Sequence, residues 1–301
     1  MDLISTRGLS KEFIEKTLSL AQKFEPVARE KKRVNVLDGK SVACLFFEPS
    51  TRTQLSFQAA ISLCSGRRIG FAEPRASSLM KGESLSDTIR VVDNYVSCIV
   101  MRHPLAGAAA KAAELADACV INAGDGDNQH PTQALLDLYT IRKLKGKIDG
   151  LSVLLAGDLK YGRAAHSLAY ALSNYDVTLE LYSPPSLKLP LFMVNELSKV
   201  VKIKEVSTLA GSADVVYATR VQKERFPDKE EYAKSAYVID AEVMKGLKPE
   251  SVLLHPLPRV EEIAKEVDDD PRGKYFEQAF YGLPVRMAVL SLLLNGRDVF
   301  D

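Results

Sequence analysis

The chain has 301 residues, 46% of them hydrophobic and 26% charged, enough to bury a large core as two domains or one large one. With 40 Lys and Arg against 39 Asp and Glu, the formal charge of +1 excludes a global attraction to nucleic acid or to an anionic membrane. Any anion binding must come from local clusters.

Ser10 is a candidate N-cap for a helix running to about Phe24, with Leu9 and Ile14 at the staple positions. Val42 to Phe47 is a short continuous apolar run, as expected of a strand buried on both faces. Further strands are predicted at Ile69 to Ala72, Cys98 to Met101, Val120 to Ala123, Val153 to Ala156, Thr178 to Tyr182, Val215 to Ala218 and Val252 to Leu254. Helices are predicted between them at Thr53 to Leu63, Leu85 to Val96, Ala106 to Ala116, Thr132 to Leu144, Arg163 to Ser173 and Leu191 to Val200, with a last one near Leu283 to Leu294. This alternation predicts parallel α/β sheets. The helix from Thr132 ends at Lys145-Gly146-Lys147, ahead of a fresh series of strands and helices, and marks the domain boundary.

Cys44, Cys64, Cys98 and Cys119 are widely spaced, with no C-x-x-C and no Cys/His ligand pattern. Reduced thiols in a cytoplasmic protein without a metal are expected. Met1 to Ser5 lacks a basic and then apolar leader pattern, and no apolar run approaches the roughly 20 residues of a membrane span.

In open α/β sheets, ligands bind beyond the carboxyl ends of the strands. After Phe47 comes Glu48-Pro49-Ser50-Thr51-Arg52-Thr53, after Met101 comes Arg102-His103-Pro104, and after Ala123 comes Gly124 to Gln133 with His130 before Pro131. After Ala156 comes Gly157-Asp158-Leu159-Lys160-Tyr161-Gly162-Arg163, after Ala218 comes Thr219-Arg220-Val221-Gln222-Lys223, and after Leu254 comes His255-Pro256-Leu257-Pro258-Arg259. Ser50 to Thr53 at a helix start offers N–H donors, hydroxyls and one forked cation, which suits a phosphate. Alone, it reads equally as a Ser/Thr cap beside a solvated arginine. The recurrence of Arg102, Arg163 and Arg220 at other strand ends favours a ligand set carrying several negative charges. Gly39-Lys40-Ser41 precedes its strand and reads as a turn, as does Asp125-Gly126-Asp127-Asn128, which lacks the glutamate of a calcium loop. His166 is expected to be a packed or surface histidine, His255 a structural one or a substrate contact, and His130 a structural residue or an available one at a helix start.

Taken together, these strand-end segments resemble the transcarbamylase family, and within it the aspartate carbamoyltransferase catalytic chains. Ser-Thr-Arg-Thr and His-Pro-x-x-Gln are shared by transcarbamylases generally. The aspartate reading rests on Asp158-Leu159-Lys160-Tyr161-Gly162-Arg163, Thr219-Arg220-Val221-Gln222 and His255-Pro256-Leu257-Pro258. The resemblance implies an α/β fold of two doubly wound domains, each a central parallel sheet flanked by helices, joined by interdomain helices. Residues 1–131 plus 282–301 would form a carbamoyl-phosphate-binding domain and residues 132–281 an aspartate-binding domain.

The same resemblance implies that Ser50, Thr51, Arg52 and Thr53 hold the phosphate of carbamoyl phosphate. Gln133 would contact the carbamoyl amide, and Thr53, Arg102 and His130 the carbamoyl oxygen. Arg163, Arg220 and Gln222 would hold the carboxylates of L-aspartate, with Leu257 and Pro258 contributing backbone groups. Glu48, with Arg163 and Arg225, resembles a bridge between the domains. The loop Ala76 to Ser84 resembles one that places Ser77 and Lys81 in a neighbouring subunit's active site, which implies a homotrimer with shared sites. A regulatory chain is a possible further partner. The reaction implied is carbamoyl transfer to aspartate, an early step of pyrimidine biosynthesis, with no cofactor. A transcarbamylase for another acceptor and a non-catalytic binder of phosphate metabolites are the alternatives.

Overall fold

A computed structural model describes residues 1–71, 82–221 and 237–296. The chain divides into two compact units, Met1–Tyr139 with Tyr281–Asp301, and Thr140–Phe280. The division therefore falls inside two helices, after Tyr139 and after Phe280.

The first unit carries a four-stranded parallel sheet of β1 (Ser41–Phe46), β2 (Arg67–Phe71), β3 (Cys98–His103) and β4 (Cys119–Asp125), in the order β2-β1-β3-β4. β1 and β3 are central and almost wholly buried, which explains their unbroken apolar runs. β2 is an exposed edge, and its arginines at 67 and 68 blunt pairing with other chains. Chain order gives the sheet its functional asymmetry. The chain leaves β1 toward β2 on one side and returns to β3 on the other, so the topological switch point lies between the carboxyl ends of β1 and β3.

Helices α1 (Lys11–Arg29), α2 (Thr51–Leu63), α3 (Leu85–Asp93) and α4 (Ala108–Ala113) belong to this unit. Ser10 caps α1 as expected, accepting the Phe13 N–H at 3.2 Å. The helix runs past the expected end at Phe24 and through Pro26. Its extra turn is held by Glu25, whose carboxylate takes the Tyr139 hydroxyl at 2.6 Å and the Arg29 Nε–H at 2.9 Å. The bond to Tyr139, made across the fold, and the i,i+4 pair with Arg29 offset the backbone hydrogen bond lost at proline. All four cysteines are free, and burial pushes the Cys44 and Cys64 thiols up to about 12, which keeps them protonated.

α5 (Pro131–Lys145) leads into the second unit. There β5 (Ser152–Ala156), β6 (Thr178–Tyr182), β7 (Lys202–Glu205), β8 (Val215–Ala218) and β9 (Val252–Leu254) form a parallel sheet in the order β7-β6-β5-β8-β9. The same logic applies. From β5 the chain winds outward through β6 and β7, then crosses back to β8, placing the switch point between β5 and β8. Among the described residues its helices include α6 (Arg163–Leu172), α7 (Leu191–Leu197) and α8 (Ala241–Lys245). The sequence reading omitted β7 because Lys202, Lys204 and Glu205 are exposed on an edge and give no apolar run. The last helix, α9 (Tyr275–Asn295), begins eight residues before the expected Leu283. Its first turns carry Glu277 and Gln278, which hide the helical period. No described helix is long and apolar enough to cross a membrane.

Candidate active site

In the first unit, Ser50 occupies the N-cap of α2, yet its side chain makes no capping bond and the first turn carries no acidic residue. α1 and α3 differ on both counts, with Ser10 and Ser84 accepting the Phe13 and Asp87 N–H groups and Glu12 and Asp87 in their first turns. The simple cap reading of Ser50 therefore fails. The first backbone bond of α2 runs from Gln54 to Ser50, so the N–H groups of Thr51, Arg52 and Thr53 precede the helical ladder and point out of its positive end. Arg52 has no acidic partner among the described residues, and partial burial lowers its pKa.

Thr53 and His130 are both buried, and Thr53 Oγ1 lies 3.5 Å from His130 Nε2. Two separate strand ends thus meet at one hydroxyl and one imidazole. Arg102 lies near the end of β3, the strand beside β1 in the sheet, in register with Phe46. Its carbonyl accepts the Phe47 N–H at 2.8 Å, while its guanidinium lies 3.3 Å from Glu48 Oε1. Glu48, which the resemblance assigns to a bridge with Arg163 and Arg225, is thus also within reach of the Arg102 guanidinium.

The loop that delivers His130 is organised by Asp125, a residue the sequence reading passed over as part of a turn. One carboxylate oxygen accepts from Asn122 Nδ2 at 2.8 Å and the Gln129 N–H at 3.0 Å; the other accepts from the Gly107 N–H at 2.8 Å and Asn128 Nδ2 at 2.9 Å. Asp125 is buried. Asp125→Ala would strand these donors, and urea unfolding should show a loss of about 2–4 kcal/mol. A midpoint unchanged from the parent would show that the loop holds itself.

In the second unit, Arg163 begins α6 after β5, and Arg220 follows β8, so both half-buried arginines stand at the switch point of that sheet. Their backbone is pinned from below. Thr219 donates its N–H and its hydroxyl to the Ala156 carbonyl at 2.8 and 3.0 Å. The Tyr237 hydroxyl lies 2.6 Å from the Thr219 carbonyl and 3.1 Å from that of Ala156. Burial pushes the Tyr237 phenol well above its ordinary range and keeps it neutral.

His255 is a strut. Its Nδ1 accepts the Leu257 N–H at 2.8 Å, so the proton sits on Nε2, 2.8 Å from Glu262 Oε1. Burial would raise the Glu262 pKa, but the hydrogen bond from His255 and the N–H of Val260 hold it below the usual range. This chain of bonds fixes Leu257, which takes a left-handed φ of 54°. His166 is likewise structural, buried with Nε2 2.8 Å from the Leu159 carbonyl. Ser77, Lys81, Gln222 and Arg225 lie outside the described residues.

Two anion-adapted strand ends, one per unit, agree with what comparison with known proteins finds. Residues 1–143 match the family described as aspartate/ornithine carbamoyltransferase, carbamoyl-P binding domain, and residues 149–293 match its Asp/Orn binding domain. The chain belongs to the aspartate/ornithine carbamoyltransferase family. Within this carbamoyltransferase family, the aspartate carbamoyltransferase catalytic subunit of Thermococcus kodakarensis is 53% identical over 300 residues, covering 98% of this chain and 97% of its own length. The catalytic subunit of M. jannaschii aspartate transcarbamoylase is 47% identical with a TM-score of 0.90 and covers 99% of both chains. The Trypanosoma cruzi aspartate transcarbamoylase, solved with carbamoyl aspartate and phosphate, is 38% identical with a TM-score of 0.91, covering 96% of this chain and 95% of its own.

Proposed function

We propose that this carbamoyltransferase moves the carbamoyl group of carbamoyl phosphate to the α-amino group of L-aspartate, giving N-carbamoyl-L-aspartate and phosphate. The observation that carries the reading is the placing of Ser50 to Thr53 with Arg102 at one switch point and Arg163 with Arg220 at the other. The first set suits a phosphate and the second a dicarboxylate, and relatives named for aspartate cover nearly the whole chain.

Ser50, Thr51, Arg52 and Thr53 bind the phosphate. Thr53, Arg102 and His130 donate to the carbamoyl oxygen, Gln133 meets the carbamoyl nitrogen, and Leu257 and Pro258 offer backbone carbonyls. The aspartate amine attacks the carbamoyl carbon. Negative charge gathers on the carbonyl oxygen, where preformed donors stabilise it, and then collapses to break the bond to the phosphate oxygen. The amine's proton leaves with phosphate or through Lys81. Arg163, Arg220 and Gln222 hold the two acceptor carboxylates, and Glu48 with Arg225 links the two occupied halves of the site. The Ser77 and Lys81 loop serves a neighbouring subunit, which makes the working species a trimer. The product feeds pyrimidine synthesis in the cytoplasm.

The test is carbamoyl transfer by the purified protein to aspartate, ornithine or another amino acid. Product with aspartate alone is expected. Arg220→Ala should raise the KM for aspartate by about a hundredfold, the worth of a charge-assisted pair, with the KM for carbamoyl phosphate within threefold of the parent. Transfer to ornithine, or binding without transfer, would overturn the proposal.

A further inference from the structure

Gln133 sits in the first turn of α5, three residues after His130, and its amide is held from behind. Gln133 Nε2 lies 2.9 Å from Asp137 Oδ1, one turn further along the same helix face. Asp137 is fully buried, an expensive place for a carboxylate. Its nearby countercharge is Arg286 of α9, only 3% exposed. Burial pulls the Arg286 guanidinium down to about 10, and the charge of Asp137 opposes that shift. Arg286 also lies over the Phe57 ring at 5.1 Å, and Phe57 is one turn after Thr53 on α2.

A carboxylate accepts hydrogen bonds and cannot donate them, so the Gln133 amide can present only its NH2 to Asp137. Its carbonyl oxygen is then turned away from Asp137. An acceptor at that position complements a substrate NH2 and has nothing to offer a methyl group. We propose that Asp137, with Arg286 as its countercharge, fixes the orientation of the Gln133 amide and so makes the site select a carbamoyl phosphate over an acyl phosphate that lacks N–H groups. Asp137 and Arg286 are positioning residues, acting through Gln133 without touching substrate. This rests on the carbamoyl-transfer reading above.

The test compares carbamoyl phosphate with acetyl phosphate as donors to aspartate, and with inorganic phosphate as an inhibitor. In Asp137→Asn the new amide accepts or donates equally well, and the constraint on Gln133 is gone. The preference for carbamoyl over acetyl phosphate, as a ratio of kcat/KM, should fall about tenfold or more, since discrimination rests on a matched polar pair. The inhibition constant of inorganic phosphate, bound by Ser50 to Thr53, should stay within twofold of the parent. Should the single variant not fold, Asp137→Asn combined with Arg286→Met removes both buried charges together and leaves no lone ion. The same fall in preference is expected. An unchanged preference in either folded variant, or a parallel loss for both donors and inorganic phosphate, would overturn the proposal. A parent enzyme that transfers no carbamoyl group would instead overturn the functional reading.

Discussion

Replacing Arg102 by alanine is expected to lower kcat by about a hundredfold to a thousandfold, or about 2.7–4 kcal/mol of transition-state stabilisation, the usual effect of removing one preformed donor from a developing oxyanion. The fold should survive the change. The hydrogen bond that ties β3 to the end of β1 uses the Arg102 carbonyl, which the substitution keeps. Glu48 loses the Arg102 guanidinium, but its side chain is 32% exposed and water can help solvate the carboxylate. Arg102→Lys should recover only part of the rate, because an ammonium is a point charge without the planar fork. The check is steady-state kinetics with both substrates, alongside a thermal melt. A kcat within threefold of the parent, in a protein of unchanged melting temperature, would remove Arg102 from the oxyanion site.

What the sequence made legible follows from how each residue earns its place. Central strands such as Val42 to Phe46 and Val215 to Ala218 are buried on both faces, so their apolar runs name them directly. Strand ends bearing cations stand out because burial would otherwise exclude them. The edge strand at Lys202 to Glu205 is half solvent, and the early turns of the last helix are polar; neither gives a periodic signal. The switch points need the strand order, which pairing decides and no local pattern encodes. Supporting residues were harder still. Asp137, Tyr237 and Arg286 matter through partners far along the chain, as when Arg286 lies over Phe57, while Asp125 gathers donors from its own loop and from Gly107. A carboxylate one turn after Gln133 was the one local hint, visible once helix spacing is applied to that glutamine. His255 was left open between strut and substrate contact, and only its bonds to Leu257 and Glu262 separate the two.

The second large effect is expected from Gly157→Ala, where fold and acceptor binding meet at one backbone position. Gly157 follows β5 with φ +109°, a conformation that side-chain-bearing residues rarely adopt. A Cβ there would lie 2.3 Å from the Thr219 carbonyl oxygen and 2.6 Å from the Tyr237 hydroxyl. Neither neighbour can yield. Thr219 is fixed by its two bonds to Ala156, and the Tyr237 hydroxyl bridges the Thr219 and Ala156 carbonyls. The substitution must therefore push β8 from β5 or release Tyr237, at a cost of about 2–5 kcal/mol, overpacking of about 1–3 kcal/mol added to backbone strain of about 1–2 kcal/mol. Gly146→Ala supplies the control: it too has a positive φ, +75°, but nothing lies within 4 Å of its Cβ. That change should cost only about 1–2 kcal/mol, the strain of the backbone alone. In urea, the midpoint of Gly157→Ala should fall well below that of Gly146→Ala. Because Arg220 directly follows Thr219, any folded Gly157→Ala enzyme should also bind aspartate more weakly while retaining its affinity for carbamoyl phosphate. Equal midpoints for the two variants, or an unchanged KM for aspartate, would show that the bonds around Thr219 do not hold Arg220 in place.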